Sequence, residues 1–381
     1  MKLQENAMLA LDTIHQKTAQ GIPSWLINPM EHRIIDRLAG VPEGTYKQRP
    51  IETYLGMQKN IGTCMIDQWI PDNPLGMGDH GYEPETKKGA TTGQEQIVRD
   101  GMVIDSPEAT VAHLEQKIFP QLQRDIDAWN RDDGDMGKNR FRQILFNEET
   151  TQLLLGSAIL KAPYNCWFPR FRYDDYGYAN YFMAYALYPE VIERDFALQA
   201  ELAIHENNAG ARTYAEGGLP PLNRLDADMA DSRGTLVDIQ TLDKIWFPHF
   251  VRSLKPMLDA GVKLIWHCDG NLMEMVPRLL EAGLCGFQGF QYEDGMDYEK
   301  ICRMKTKDGD SLLIIAGVSV TRTLPFGKPN NVRKEMEWLV AQGPKTGLFL
   351  GGSSSIAPGV PWENIQALVE GLNYYRQHGR N

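Results

Sequence analysis

Thiols are scarce in this chain of 381 residues, and none of its five cysteines lies in a Cys-x-x-Cys pair. Cys64, Cys166, Cys268, Cys285 and Cys302 are scattered and odd in number, so the spacing offers neither a disulfide framework nor a thiolate zinc knuckle. Long apolar runs are also missing. No stretch approaches the ~20 residues that span a bilayer, and residues 1–20 show no secretory pattern, so the cytoplasm is the expected compartment. Positive charge is in deficit. A net charge of −11 argues against a general nucleic-acid or anionic-membrane surface. There is no glycine-rich phosphate loop of the GxxxxGK[ST] type and no solenoid repeat.

What remains is the composition of an ordinary soluble globular protein, with 42% hydrophobic and 23% charged residues. Residues 1–20, a segment opening near Glu31, and residues 52–62 read as helices. Residues 63–70 read as a first buried strand. A long Gly-, Pro- and acid-rich segment follows from 71 to 97 and contains His80; loops of that length are often functional. An edge hairpin is expected over 95–105. Ser106-Pro107-Glu108 opens a helix to about residue 130, with Pro120 as a break. Residues 141–146 read as a second strand, 148–155 as a short helix, and 156–166 as a stretch holding a third strand. Residues 167–182 mix aromatics with Arg170 and Arg172. Such a segment suits either a pocket wall for a flat or anionic ligand or an aromatic core with snorkelling arginines. A helix over 189–208 and a loop over 210–221 follow.

From Leu236 strands and helices alternate regularly. Strands are expected at 236–239, 262–267, 286–292, 312–318 and 346–350, with helices between and a last helix over 362–378. Such alternation implies a parallel sheet. The count approaches eight, which favours a (β/α)8 TIM barrel over residues 61–381 with an N-terminal helical extension over 1–60. A doubly wound open sheet is the alternative.

In such barrels chemistry sits where strands end. The candidate mouth residues are Asp67, Asp238, His267, Asp269, Asn271, Gln291, Glu293, Arg322, Ser353 and Ser354. His267, Asp269 and Asn271 alternate, so an extended backbone points them the same way and Cys268 the other way. A neutral His267 imidazole could ligate zinc, and an imidazolium could protonate a leaving group. Asp269 and Glu293 could be co-ligands, or Glu293 a base. Arg322 could hold a carboxylate or phosphate.

Four stretches carry a family resemblance: GVKLIWHCDGNLMEMVPRLLEAGLCGFQ (261–288), QYEDGMD (291–297), IIAGVSVTRTLPFGKPNNVRKEM (314–336) and GLFLGGSSSIAPGVPWENIQALVEGLNYY (347–375). The chain resembles the uroporphyrinogen decarboxylase superfamily, and more closely its branch of cobalamin-dependent methyltransferases. The resemblance implies a (β/α)8 barrel, a cleft at its C-terminal mouth and a homodimer. It offers three activities. Decarboxylases of the tetrapyrrole carry an Arg-Gln-Ala-Gly-Arg stretch, which is absent here. Transferases to a thiol such as coenzyme M bind zinc through His-x-Cys and a late cysteine; here His267 matches the first position, Asp269 replaces the second, and residues 351–355 offer serines. The third group removes a methyl from a small donor, such as a methoxylated aromatic, and passes it to a corrinoid protein. Asp269 suits this group, because zinc held by carboxylate keeps more Lewis acidity than zinc held by thiolate. The chain lacks the Asp-x-His-x-x-Gly motif of cobalamin domains, so the corrinoid would ride on a separate partner. The resemblance thus implies a reactive centre of His267, Asp269 and Glu293. Arg322, His80 and the serine turn would bind substrate or cofactor. A metal-free carboxy-lyase and a non-catalytic ligand- or corrinoid-binding barrel are the rival readings.

Overall fold

In the computed structural model, residues 2–72 and 97–380 are described. Their strands are β1 (Met65–Ile66), β2 (Ile97–Arg99), β3 (Met102–Ile104), β4 (Leu160–Lys161), β5 (Leu222–Asp226), β6 (Ala230–Asp231), β7 (Gly234–Thr235), β8 (Lys263–His267), β9 (Gly286–Gln288), β10 (Leu313–Val318) and β11 (Leu348–Gly352). Five of them form a parallel sheet in the order β11-β10-β9-β8-β5, and β1 pairs in parallel with β4. Ser24 and Trp25 join the two sheets, Ser24 bridging to Leu350 of β11 and Trp25 to Met65 of β1. Neighbouring parallel staves therefore run β4, β1, the Ser24-Trp25 segment, β11, β10, β9, β8, β5. That is the strand order of an eight-stave barrel. Among the described residues no backbone ladder joins β4 to β5. Side chains meet there instead: Asn223 Nδ2 donates to Asn165 Oδ1 at 3.1 Å.

The central strands form because their residues are apolar on both faces. Leu313–Val318 and Leu348–Gly352 are buried at every position, as expected where helices cover one side of a parallel sheet and a core fills the other. Inside the staves lie Trp25, Met65, Leu160, Leu222, Ile265, Leu313, Ile315 and Phe349. Ala7, Ala10 and Ile14 of the helix Glu5–Ile14 pack into the same cluster. Gln16, just beyond that helix, donates to the Ser311 carbonyl and accepts from Lys263 Nζ at 3.1 Å. Both contacts lie where strands begin, so the helix covers the N-terminal end of the staves and leaves the other end as the mouth. The first 60 residues thus supply helices and one stave.

The α/β fold with a parallel central sheet is the one expected from alternation. The hairpin over 97–104 is present, and Ser106 Oγ accepts from Ala109 N at 3.1 Å as the helix cap. A π-helical turn, Leu114–Ile118, takes up the strain just ahead of Pro120. Two expected strands are wrong. Residues 141–146 lie inside one 21-residue helix, Asp135–Leu155. Residues 140–155 contain neither Gly nor Pro and are rich in Arg, Gln and Leu, so nothing stops that helix before Gly156. Residues 236–239 are not a strand either. Asp238 caps the helix Ile239–Ile245, its Oδ2 accepting from Thr241 N at 2.9 Å. The stave of that region is β5, hidden in the sequence because Asn223, Arg224 and Asp226 interrupt its apolar residues.

Candidate metal centre at the barrel mouth

β5 and β8 run side by side in register, with Asp226 opposite His267. Two residues further on, each chain presents another carboxylate, Asp228 and Asp269. The Asp269 backbone N–H donates to Asp228 Oδ1 at 3.0 Å and holds the two turns together. Gly270 sits at φ +86°, with the Asp231 carbonyl so close that a Cβ would lie 2.7 Å from it. This turn brings one donor atom each from Asp228, His267 and Asp269 within 4.8 Å of one another. Donors on a tetrahedral ion with bonds of ~2.1 Å sit roughly 3.4 Å apart, so small side-chain movements would complete the grip.

Two observations fit a cation here. His267 is 8% exposed with its Nε2 toward Asp226 and its unpartnered Nδ1 toward Gly289, and the buried Asp269 Oδ1 has no hydrogen-bond partner among the described residues. Such atoms are costly unless something binds them. Gly289, at φ +82°, also leaves a cradle beside the ring, since a Cβ there would lie 2.5 Å from His267 Nδ1. Burial raises the pKa of Asp269 and the Asp228 charge adds to that, while the adjacent His267 opposes it. Ser354 Oγ donates to Asp269 Oδ2 at 3.3 Å. Cys268 takes no part. Its thiol donates to the Asp269 carbonyl at 2.9 Å, and burial pushes its pKa well up.

Behind the site runs a line of buried charge. Trp25 Nε1 donates to Asp67 Oδ1 at 2.9 Å, Arg224 Nε to Asp67 Oδ2 at 2.6 Å, and Arg224 Nη1 to Asp226 Oδ2 at 2.8 Å. Asp226 Oδ1 then faces His267 Nε2 at 3.9 Å. Burial alone would raise both carboxyl pKa values. Arg224, Trp25 and the Gln68 N–H outweigh it at Asp67, and His267, Arg224 and Arg170 do so at Asp226; both pKa values end below the ordinary value. Asp67, expected as a binding residue, is thus an internal anchor whose oxygens are both engaged.

The other expected residues scatter around the mouth. Glu293 does not join the Asp-His-Asp group; it accepts from the hydroxyls of Ser319 and Thr321. Beside it, Glu335 accepts from Ser319 N at 2.6 Å, and burial pushes its pKa up to about 7. Arg322 lies with its guanidinium 3.6 Å from Asp294 and largely in solvent. Gln291 Oε1 accepts from Gly270 N at 2.8 Å, and Asn271 Oδ1 from Met273 N at 3.2 Å, so both brace the turn after β8. Ser353 is buried, its hydroxyl accepting from Val320 N at 3.1 Å. Arg172 is clamped by both oxygens of Asp195, at 2.8 and 3.0 Å. Arg170 reaches the mouth: its Nη2 donates to the Asp226 carbonyl at 2.7 Å. It lines two small cavities, one of about 160 Å³ with Tyr173, Tyr178 and Asp228, the other of about 220 Å³ with Tyr164, Phe168 and Arg224. A larger cavity of about 1110 Å³ lies at the opposite end of the strands and holds none of these residues. His80 lies outside the described residues.

Sequence reading missed Asp226, Asp228 and Arg224. The signal is an Asp-x-Asp pair at 226 and 228, mirroring His267-x-Asp269, on a strand whose polar residues disguise it.

Residues 227–375 match the family model described as Uroporphyrinogen decarboxylase (URO-D). A solved methyltransferase from Methanosarcina mazei is similar in fold, with a TM-score of 0.55 at 14% identity, covering 97% of this chain and 98% of that one. No curated protein matches. The family match covers the C-terminal part of the chain, and the fold is an α/β arrangement with a parallel central sheet like that of the solved methyltransferase.

Proposed function

We propose that the protein is a methyltransferase that moves a methyl group between a small donor and a corrinoid carried by a separate protein. The observation that carries this reading is the Asp228, His267 and Asp269 group at the C-terminal ends of β5 and β8. Its nitrogen and oxygen donors suit a divalent cation, zinc among them. When bound, such an ion supplies Lewis acidity toward the oxygen or nitrogen that carries the methyl group. His267 and the two carboxylates would hold the ion, with Ser354 orienting Asp269. Tyr173, Tyr178 and Arg170 line the cavity beside Asp228, and a methoxylated aromatic donor fits that wall of aromatic rings. The helix Glu5–Ile14 blocks the far end of the staves, so donor and corrinoid both approach from the mouth. A membrane partner forms no part of this proposal; among the described residues no helix is long and apolar enough to cross a membrane. The homodimer implied by the resemblance belongs to the same proposal.

Metal analysis of the purified protein and of His267→Ala is the first test. Near-stoichiometric zinc that is lost in the variant supports the reading, and a panel of methoxylated aromatics with a corrinoid acceptor then checks turnover. Absence of bound zinc in the wild type, before and after zinc is supplied, would refute it. Carboxy-lyase activity without a corrinoid acceptor would favour the decarboxylase instead. The three carboxylates of Asp226, Asp228 and Asp269 at the mouth make a polycarboxylate substrate the poorer electrostatic match.

A further inference from the structure

We infer that Asp226 supplies a fourth donor, so that the cation is held by three carboxylates and one imidazole. This rests on the metal reading above and extends it. The ladder sets Asp226 of β5 opposite His267 of β8. Asp226 and His267 end β5 and β8, and Asp228 and Asp269 follow two residues beyond them; Asp226 borders the three-residue group whose donors lie within 4.8 Å of one another and joins it by an inward movement of its carboxylate. The two oxygens of Asp226 have different surroundings. Oδ2 accepts from Arg224 Nη1 at 2.8 Å. Oδ1 faces His267 Nε2 at 3.9 Å, beyond hydrogen-bond distance and close to the spacing of two donors on one ion. Arg224 is itself fixed by Asp67, and Arg170 fixes the Asp226 carbonyl, so Oδ1 is presented by a rigid frame. His267, more than nine-tenths buried, and the unpartnered Asp269 Oδ1 lie across from it. A set of three carboxylates and one imidazole is richer in oxygen than a thiolate site. It selects a divalent cation of hard or borderline character, and leaves no place for a bound thiolate among the protein donors.

Cobalt(II) reports both affinity and coordination through its visible absorption, so the probe is Co²⁺ titrated into metal-free protein. Wild type, Asp226→Asn, Asp67→Asn and His267→Ala are compared, with folding checked by circular dichroism. Asp226→Asn is expected to weaken Co²⁺ binding by about tenfold or more and to alter the absorption envelope. Asp67→Asn, which loosens the Arg224 frame but leaves the Asp226 carboxylate in place, is expected to weaken binding less than Asp226→Asn does and to alter the spectrum less. If Asp226→Asn binds like wild type with an unchanged spectrum while His267→Ala binds none, the fourth donor is overturned and the three-donor site stands. If His267→Ala binds as tightly as wild type, the metal reading falls and the fourth donor with it. If Asp67→Asn reproduces the loss and the spectral change, Asp226 acts only through its bond to Arg224 and the inference is overturned. Should Asp226→Asn fail to fold, Asp226→Glu replaces it. That variant keeps a carboxylate for Arg224 and moves the donor oxygen, so an unshifted spectrum overturns the inference.

Discussion

Replacing Arg224 by Met is expected to cost about 3–5 kcal/mol at pH 7, because breaking a buried pair leaves its partner charge uncompensated. The side chains of Arg224 and Asp67 are 2% and 3% exposed, so water cannot rescue the orphaned Asp67 carboxylate, while Asp226, 26% exposed, is partly solvated. Two carboxylates are left behind, Asp67 and Asp226, each losing a hydrogen bond of 2.8 Å or less. With an unfolding entropy of ~2.1 cal/mol/K per residue, a chain of 381 residues loses roughly 5 K of melting temperature for ~4 kcal/mol. The sign with pH follows from the same groups. In the wild type both carboxyl pKa values are depressed, so their stabilisation is present above the ordinary carboxylate range and fades as pH falls through the folded values. In the variant they rise instead, and protonation removes the penalty. The deficit should therefore be largest near pH 7 and shrink toward pH 4. Urea unfolding of both proteins at the two pH values measures this. A cost under ~1 kcal/mol at pH 7, or an equal cost at both, would refute the argument that the pair is buried and charge-compensated.

Glu335 gives the opposite pH dependence. Its folded pKa of about 7 lies above the ordinary carboxylate value, so its contribution is most favourable below the unfolded pKa and is lost as pH rises to 7. Glu335→Gln should stabilise by about 1–2 kcal/mol at pH 8, after discounting for partial exposure, and change little near pH 4.5; equal effects at both would contradict it. Gly289→Ala forces a left-handed alanine and drives a methyl to 2.5 Å from His267 Nδ1. It should cost about 1–2 kcal/mol in backbone strain and weaken Zn²⁺ binding, which calorimetric titration reads; wild-type affinity would show that the cradle is not used. Asp238→Ala removes the cap of Ile239–Ile245 and should cost about 1 kcal/mol in urea unfolding, with metal binding untouched.

How much of this was legible in the sequence depends on how each strand announces itself. β8, β10 and β11 are unbroken apolar runs, and they were found within a residue or two. β5 carries Arg224 and Asp226 on its inner face, where they pair with each other and with Asp67, and Asn223 on its outer face, bonded to Asn165 and Tyr214, so no run of apolar residues marks it. With β5 went two of the four carboxylate and imidazole groups at the centre. His267 and Asp269 were legible because they follow a clear strand and precede a glycine. Glu293 looks like a strand end in the sequence, but β9 stops at Gln288 and Glu293 lies in a short 3-10 turn, Tyr292–Asp294, facing the Ser319 and Thr321 hydroxyls that follow β10, which no spacing reveals. Arg172 shows the converse: an arginine among aromatics looked like a ligand anchor, and its partner Asp195 lies 23 residues on in a helix.

Among the described residues no ladder joins β4 to β5, and this has a consequence for the site. β5 is laddered to β8 alone, so Asp226 ends a strand with an open edge, while His267 ends one held from both sides. Side-chain bonds take the place of the second ladder there: Asp67 holds Arg224, Arg224 holds the Asp226 carboxylate and Arg170 its carbonyl, so the open side of the sheet is closed by charge where the other strands are closed by backbone.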